Sequence, residues 1–131
     1  MDNLSNFQPT DAELEILQVL WEHQPCTVRF IHEQLEAQGR NLAYTTILKT
    51  VQRMGEPTKG LVTRYKEGKT HYYSAIPKEA DIQQSLLQRL KNTAFRGSAA
   101  NLILHALGQE KPSSEELDQI RQFLEQKRKE M

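Results

Sequence analysis

The sequence predicts a mainly α fold with a small β-hairpin, three helices preceding the hairpin and three following it. Three observations carry that prediction. Apolar residues recur every three or four positions in six separate stretches. Two short runs rich in β-branched and aromatic residues flank Glu67-Gly68-Lys69. Capping residues, glycines or prolines stand at the ends of these stretches, where helices and strands begin and stop.

Pro9-Thr10-Asp11-Ala12-Glu13 starts the first helix, with Thr10 as N-cap and Glu13 completing a capping box. Leu14, Leu17 and Trp21, with Ile16 and Leu20 beside them, give an apolar stripe over about 11–23, and Trp21 is expected in the core. Pro25 closes that helix. Thr27 caps a second, whose apolar positions Val28, Ile31 and Leu35 continue until Gly39 ends the run. A third helix over about 43–54 sets Ala43, Ile47, Val51 and Met54 within about 80° of one another, a face that packs inward. Its opposite arc carries Thr45, Thr46, Lys49, Gln52 and Arg53: hydroxyls, an amide and cations, with no acid among them. Residues 61–66 and 70–75 then read as a hairpin, with Gly68 supplying a positive φ in the turn. Tyr72 and Tyr73 alternate across the second strand, one packing and one exposed. Two strands alone are marginal, so they must pack on the three helices, and three helices followed by a β-hairpin is the winged-helix arrangement.

Pro77 marks the expected boundary between a winged-helix domain, 1–76, and a helical domain, 77–131. The fourth helix, about 78–95, has Ile82, Leu86 and Leu90 on one face and Gly97 as terminator. The fifth, about 98–107, is apolar nearly all round through Leu102, Ile103, Leu104 and Leu107, which implies burial on several sides. The sixth opens with a capping box at Ser113 and runs through Leu117, Ile120 and Leu124 into a charged tail. Three helices in 55 residues hold too little material to cover the fifth. A second copy of the chain is therefore expected to cover it, with these apolar residues forming the dimer surface.

At 131 residues the chain suits one compact domain with an appendage. Its single cysteine, Cys26, excludes an intrachain disulfide and a multi-cysteine metal cluster. His23, His32, His71 and His105 lack ligand spacing to one another or to Cys26, so no metal or other cofactor is expected. The first residues show neither a basic segment nor an apolar one, and no stretch reaches the roughly 18 apolar residues of a membrane span. A cytoplasmic protein without membrane association is the expectation. No phosphate-binding glycine loop, nucleophile elbow or carboxylate pair is evident, so a catalytic role is not expected.

Net charge is zero, but it is unevenly spread. Residues 1–39 carry −6, with Arg29 their single base; residues 40–76 carry +5; residues 77–131 carry +1. A local cationic segment is what a nucleic-acid surface needs, and the whole-chain total says little about it. Thr46, Lys49 and Arg53 are the principal candidates for groove contacts, with Thr45 and Gln52 beside them. Arg53 suits either a guanine edge or a phosphate. Tyr44 borders the arc, where it touches DNA backbone or packs on the wing. Arg64, Lys66 and Lys69 on the hairpin suit phosphates or the minor groove, adding affinity more than sequence preference. A winged helix serving protein assembly instead of DNA binding is the competing reading, and it should lack the acid-free arc.

The segments PTDAELEILQVLW (9–21), AYTTILKTVQRM (43–54), KGLVTRYKEGKTHYYS (59–74) and GSAANLILHAL (97–107) followed by SSEELDQIRQFL (113–124) resemble the penicillinase repressor type of bacterial transcriptional regulator. The resemblance touches nearly the whole chain in order. It implies a homodimer whose N-terminal winged helix binds a palindromic operator in double-stranded DNA while the C-terminal helices hold the partner. In the antibiotic-resistance branch of that family an upstream membrane sensor protease leads to cleavage of the repressor; in the copper branch a C-terminal cysteine cluster senses metal. No cysteine follows position 26, so the thiolate ligands of the copper branch are missing. Two further departures stand out. The segment Met54-Gly55-Glu56-Pro57-Thr58-Lys59-Gly60 is about two residues longer than the family pattern, so a slightly displaced wing is expected. The Asn-Phe cleavage pair of the antibiotic branch is replaced near His105-Ala106.

Overall fold

A computed structural model describes residues 8–131; the reading of the extreme N-terminus as leader-free falls partly on residues 1–7, outside the described residues. The elements run α1 (Asp11–His23), α2 (Val28–Ala37), α3 (Tyr44–Met54), β1 (Val62–Glu67), β2 (Thr70–Ala75), α4 (Glu79–Ala94), α5 (Ala99–Gln109) and α6 (Ser114–Lys129). The chain divides into two compact units, the first ending at Gln88 and the second running from Arg89 to Met131. Among the described residues no helix is long and apolar enough to cross a membrane.

Helix starts follow the capping signals. The Thr10 hydroxyl accepts from the Glu13 N–H at 3.2 Å while the Glu13 carboxylate accepts from the Thr10 N–H at 2.9 Å. Ser113 and Glu116 make the same reciprocal pair before α6, and Thr27 caps α2 through the Phe30 N–H. Each such cap satisfies helix donors that would otherwise have no intrahelical partner.

In the first unit, Leu17, Leu20, Ile31, Leu35, Ile47, Val51 and Met54 close a core between α1, α2 and α3, with Leu61, Val62 and Tyr73 of the hairpin buried in the same cluster. Fully burying a side chain of this size contributes about 1.5–3 kcal/mol, which fixes the rotation of α3 and therefore the arc it leaves outside. Trp21 sits at the rim, half-buried, its indole N–H donating to the Pro77 carbonyl at 3.0 Å.

β1 and β2 pair antiparallel from Val62↔Ala75 to Glu67↔Thr70. Gly68 turns the hairpin at φ +65°, the glycine-first arrangement whose twist suits a two-residue connection. Cys26 adds a one-residue third strand: its N–H donates to the Tyr73 carbonyl at 3.0 Å, and the Tyr73 N–H donates back at 2.8 Å. The hairpin is thus stitched to the α1–α2 connection, and the outcome is a winged helix.

Local details differ from the sequence reading. Ala43 is the N-cap of α3 and is exposed, so the inward face is Ile47, Val51 and Met54 with Thr50 beside them. α3 stops at Met54 with Gly55 as C-cap, before Pro57 is reached. β1 begins and ends one residue later than expected.

In the second unit, α5 is capped by the Ser98 hydroxyl, which accepts from the Asn101 N–H at 3.0 Å. Gly97 at φ +82° reverses the chain after α4, its N–H donating to the Lys91 carbonyl at 2.9 Å. The Phe95 and His105 rings meet edge to face with centroids 5.5 Å apart. Neither α5 nor α6 contains a buried residue.

Candidate nucleic-acid interface

The cationic segment resolves into two groups of side chains. Arg40 and Lys59 are structural. The Arg40 guanidinium grips the Glu15 carboxylate with contacts of 2.6 and 3.1 Å, tying the α2–α3 connection to α1. The Lys59 ammonium lies 3.0 and 3.3 Å from the two oxygens of Glu13, whose side chain is only 7% exposed and also closes the α1 capping box. A carboxylate so buried requires compensation, and Lys59 supplies it from 46 residues downstream. The other bases, Lys49, Arg53, Arg64, Lys66 and Lys69, are exposed, and none pairs with a carboxylate among the described residues. These five are the cations that the sequence singled out for DNA.

On α3, Thr45, Thr46, Lys49, Gln52 and Arg53 are all exposed, and the buried face lies opposite. The helix has no side-chain cap at Ala43, unlike α1, α2, α5 and α6. The Thr46 N–H already donates to the Ala43 carbonyl at 3.1 Å, but no side chain caps the N–H groups before it, and partial positive charge gathers there. Tyr44 is 42% exposed and its ring stands edge-on to His32 at 5.9 Å. His32 is held by a 2.9 Å hydrogen bond between Nε2 and the Leu42 carbonyl. Thr50, facing inward, donates to the Thr46 carbonyl at 2.8 Å and leaves no unmet hydroxyl.

Cross-strand partners share a face of the hairpin. Arg64 therefore lies on the face of its partner Tyr73, and Lys66 on that of His71, while Tyr65 and Tyr72 stack on the other face at 5.4 Å with rings 15° apart. Tyr73 is buried as the alternation requires, whereas Tyr72, expected to be exposed, is half-buried with its ring stacked on Tyr65. The inner face borders an open cleft of about 510 Å³ lined by residues of α2, α3 and the wing, among them Arg29, Tyr44, Gln52, Arg64, Lys69 and His71. Tyr44, Gln52, Arg64 and Lys69 were legible as candidates; Arg29 and His71 were not. The one signal for Arg29 is its isolation as the sole base in an acidic stretch.

The apolar residues of the second half separate by exposure. Ile82 is 1% exposed within the first unit. Leu86, Leu102, Leu107 and Ile120 are half-buried. Leu90, Ile103, Leu104, Leu117 and Leu124 are exposed, Leu104 by 68%. His105 and Ala106 lie inside α5, so that peptide bond is helical. Burial pushes the Cys26 thiol from an ordinary 9.0 up to about 11.

A family model described as "Penicillinase repressor" matches residues 9–126. The chain is 26% identical over 127 residues to the methicillin resistance regulatory protein MecI of Mammaliicoccus sciuri, spanning 97% of this chain and 100% of that protein. It is 30% identical over 116 residues to the transcriptional regulator BlaI of Mycobacterium tuberculosis strain H37Rv, spanning 87% of this chain and 80% of the relative. A solved structure of a MarR family protein from Bacillus stearothermophilus superposes with a TM-score of 0.51 at 23% identity, covering 98% of this chain and 79% of that one. That superposition speaks for the fold alone.

Proposed function

The chain belongs to the penicillinase repressor family, and we propose that it is a transcriptional repressor that binds a palindromic DNA operator as a homodimer. The observation that carries this reading is the division of the basic segment. Two bases are consumed by ion pairs inside the fold, and five stand exposed on α3 and the wing, none of them ion-paired among the described residues. An assembly surface has no need of such a one-signed arc, whereas a polyphosphate backbone does.

In this reading α3 enters the major groove. Thr45, Thr46 and the open N–H groups of its first turn meet phosphate and base edges, Lys49 and Gln52 lie along the groove floor, and Arg53 reaches a guanine or the flanking backbone. Arg64, Lys66 and Lys69 hold the neighbouring backbone from the wing. The exposed Ile103, Leu104, Leu117 and Leu124 support pairing of two chains through α5 and α6, because burying such large apolar side chains against a second copy removes them from water. Two-fold pairing places the α3 helices about one turn of DNA apart, roughly 34–36 Å. Repression then follows from occupancy of the operator.

A gel-shift titration across salt concentration tests the reading. Affinity that falls steeply and linearly in log–log form as salt rises is expected. A protein that ignores duplex DNA at 50 mM salt contradicts it.

A further inference from the structure

We propose that the cleft between the start of α2 and the wing is a phosphate clamp, in which Arg29 and His71 grip one phosphodiester of the DNA backbone beside the groove that α3 enters. This inference rests on the repressor reading and adds to it two residues and a ligand. The open cleft offers about 510 Å³, room for a phosphodiester with part of its flanking sugars. Arg29, Arg64 and Lys69 bring three cations to it from α2, β1 and the turn, and Thr27, Thr70 and Tyr44 bring hydroxyls. Among the described residues no carboxylate lines it. A lining with three cations, several further donors and no carboxylate suits an anion better than a metal cation.

The position is as informative as the chemistry. Tyr44 and Gln52 belong both to the exposed side of α3 and to the wall of the cleft. A strand backbone bordering the groove occupied by α3 therefore passes the cleft mouth. Thr27 accepts the Phe30 N–H with its oxygen at 3.1 Å and keeps its own hydroxyl proton free to donate.

His71 adds a constraint. Its Nδ1 is sealed from solvent without a hydrogen-bond partner. A proton there would be buried with no acceptor, a costly arrangement. A ring proton is therefore better placed on Nε2, where its N–H is a donor for an anion in the cleft that His71 lines. Arg64, paired with Tyr73, lies on the same hairpin face as His71 and adds charge beside it.

The test compares full-length protein with the Arg29→Gln and His71→Phe variants on two 24-base-pair duplexes, one enriched from a random pool by the wild-type protein and one scrambled. Arg29 is exposed and its side chain makes no hydrogen bond or ion pair among the described residues, so its replacement should melt as wild type does and keeps the test decisive should His71→Phe fail to fold. For Arg29→Gln the expected result is a loss of about fivefold to tenfold per bound subunit at 0.1 M salt, the same on both duplexes, and a salt slope smaller by about one per subunit. A neutral methylphosphonate placed at successive backbone positions should weaken the wild type at one position per half-site, where Arg29→Gln shows no further loss. Wild-type affinity and slope in Arg29→Gln overturn the clamp. Saturable protection of the wild type, but not of Arg29→Gln, from heat by inorganic phosphate at fixed ionic strength, with unchanged DNA binding, assigns the cleft to free phosphate and also overturns it. A wild-type protein with no salt-dependent duplex binding overturns the underlying repressor reading, and the clamp falls with it.

Discussion

Leu17, Leu20, Ile31, Leu35, Val51 and Met54 in the first unit are each at most 1% exposed, whereas in α5 and α6, built from the same apolar residue types, no residue is buried and Leu104 is 68% exposed. Helix-forming tendency does not separate the regions, since both contain well-capped helices of ordinary length. What separates them is closure. The first unit has α1 to α3, the start of α4 and a hairpin, with partners that return from far along the chain, as Cys26 and Tyr73 do. The second has only neighbouring helices, and these do not surround α5. A region that buries its own core presents its polar arc as a surface for something else; a region that cannot do so presents its apolar residues, and the natural complement is another copy. On the proposed reading, DNA contact and self-association belong to different halves for the same physical reason.

The strongest way to break that comparison is the Lys49→Ala, Arg53→Ala pair. Each residue is exposed on α3, and groove contacts are worth about 1–3 kcal/mol apiece, so operator affinity should fall by about a hundredfold or more. Sedimentation should show the dimer intact. Unchanged affinity removes α3 from the interface.

Next come paired leucine truncations. Leu17→Ala opens a void in a closed core and should cost about 2–5 kcal/mol of stability in thermal or urea unfolding. Leu104→Ala should leave unfolding of the dilute monomer within about 0.5 kcal/mol, as surface replacements do, yet raise the dimer dissociation constant by about tenfold. Equal effects on unfolding would erase the distinction between the halves.

Shortening the chain sharpens it further. A fragment ending at Gln88 retains the buried Ile82 and the core. It should fold, sediment as a monomer, and bind the operator at least tenfold more weakly, since the second half-site no longer arrives tethered to the first. A fragment that stays dimeric places self-association in the first unit.

The smallest effect concerns Cys26. Its folded pKa of about 11 lies above the ordinary 9.0, so the proton is held more tightly in the folded state. The associated stability is complete below pH 9 and is lost as pH rises through about 11. At pH 8 the thiolate is scarce, and alkylation by iodoacetamide should run about a hundredfold slower than for a free thiol until urea unfolds the chain. Rapid alkylation of folded protein contradicts the burial.

Features set by nearby residues were legible in the sequence. Thr10 with Glu13, Thr27 with Phe30 and Ser113 with Glu116 each act over three positions, and the spacing of Ile47, Val51 and Met54 dictated which arc of α3 would face outward. Features set by distant residues were not. Nothing local tells that Arg40 answers Glu15 across 25 residues, that Lys59 answers Glu13 across 46, or that Arg29 and His71 share a cleft. The single bridge between Cys26 and Tyr73 has no periodicity to read. Ala43 was drawn into α3 because its spacing fits the apolar stripe, but the residue opening a helix stands outside its hydrogen-bond ladder, and an alanine there offers no cap to announce itself.

Hydroxyl-radical footprinting of the full-length protein on its enriched duplex tests the central claim most directly. Two protected stretches about ten base pairs apart are expected, symmetric about the duplex centre and both lost in the Lys49→Ala, Arg53→Ala pair. A single protected stretch, or protection that survives loss of both side chains, contradicts a repressor that reads DNA with two copies of α3.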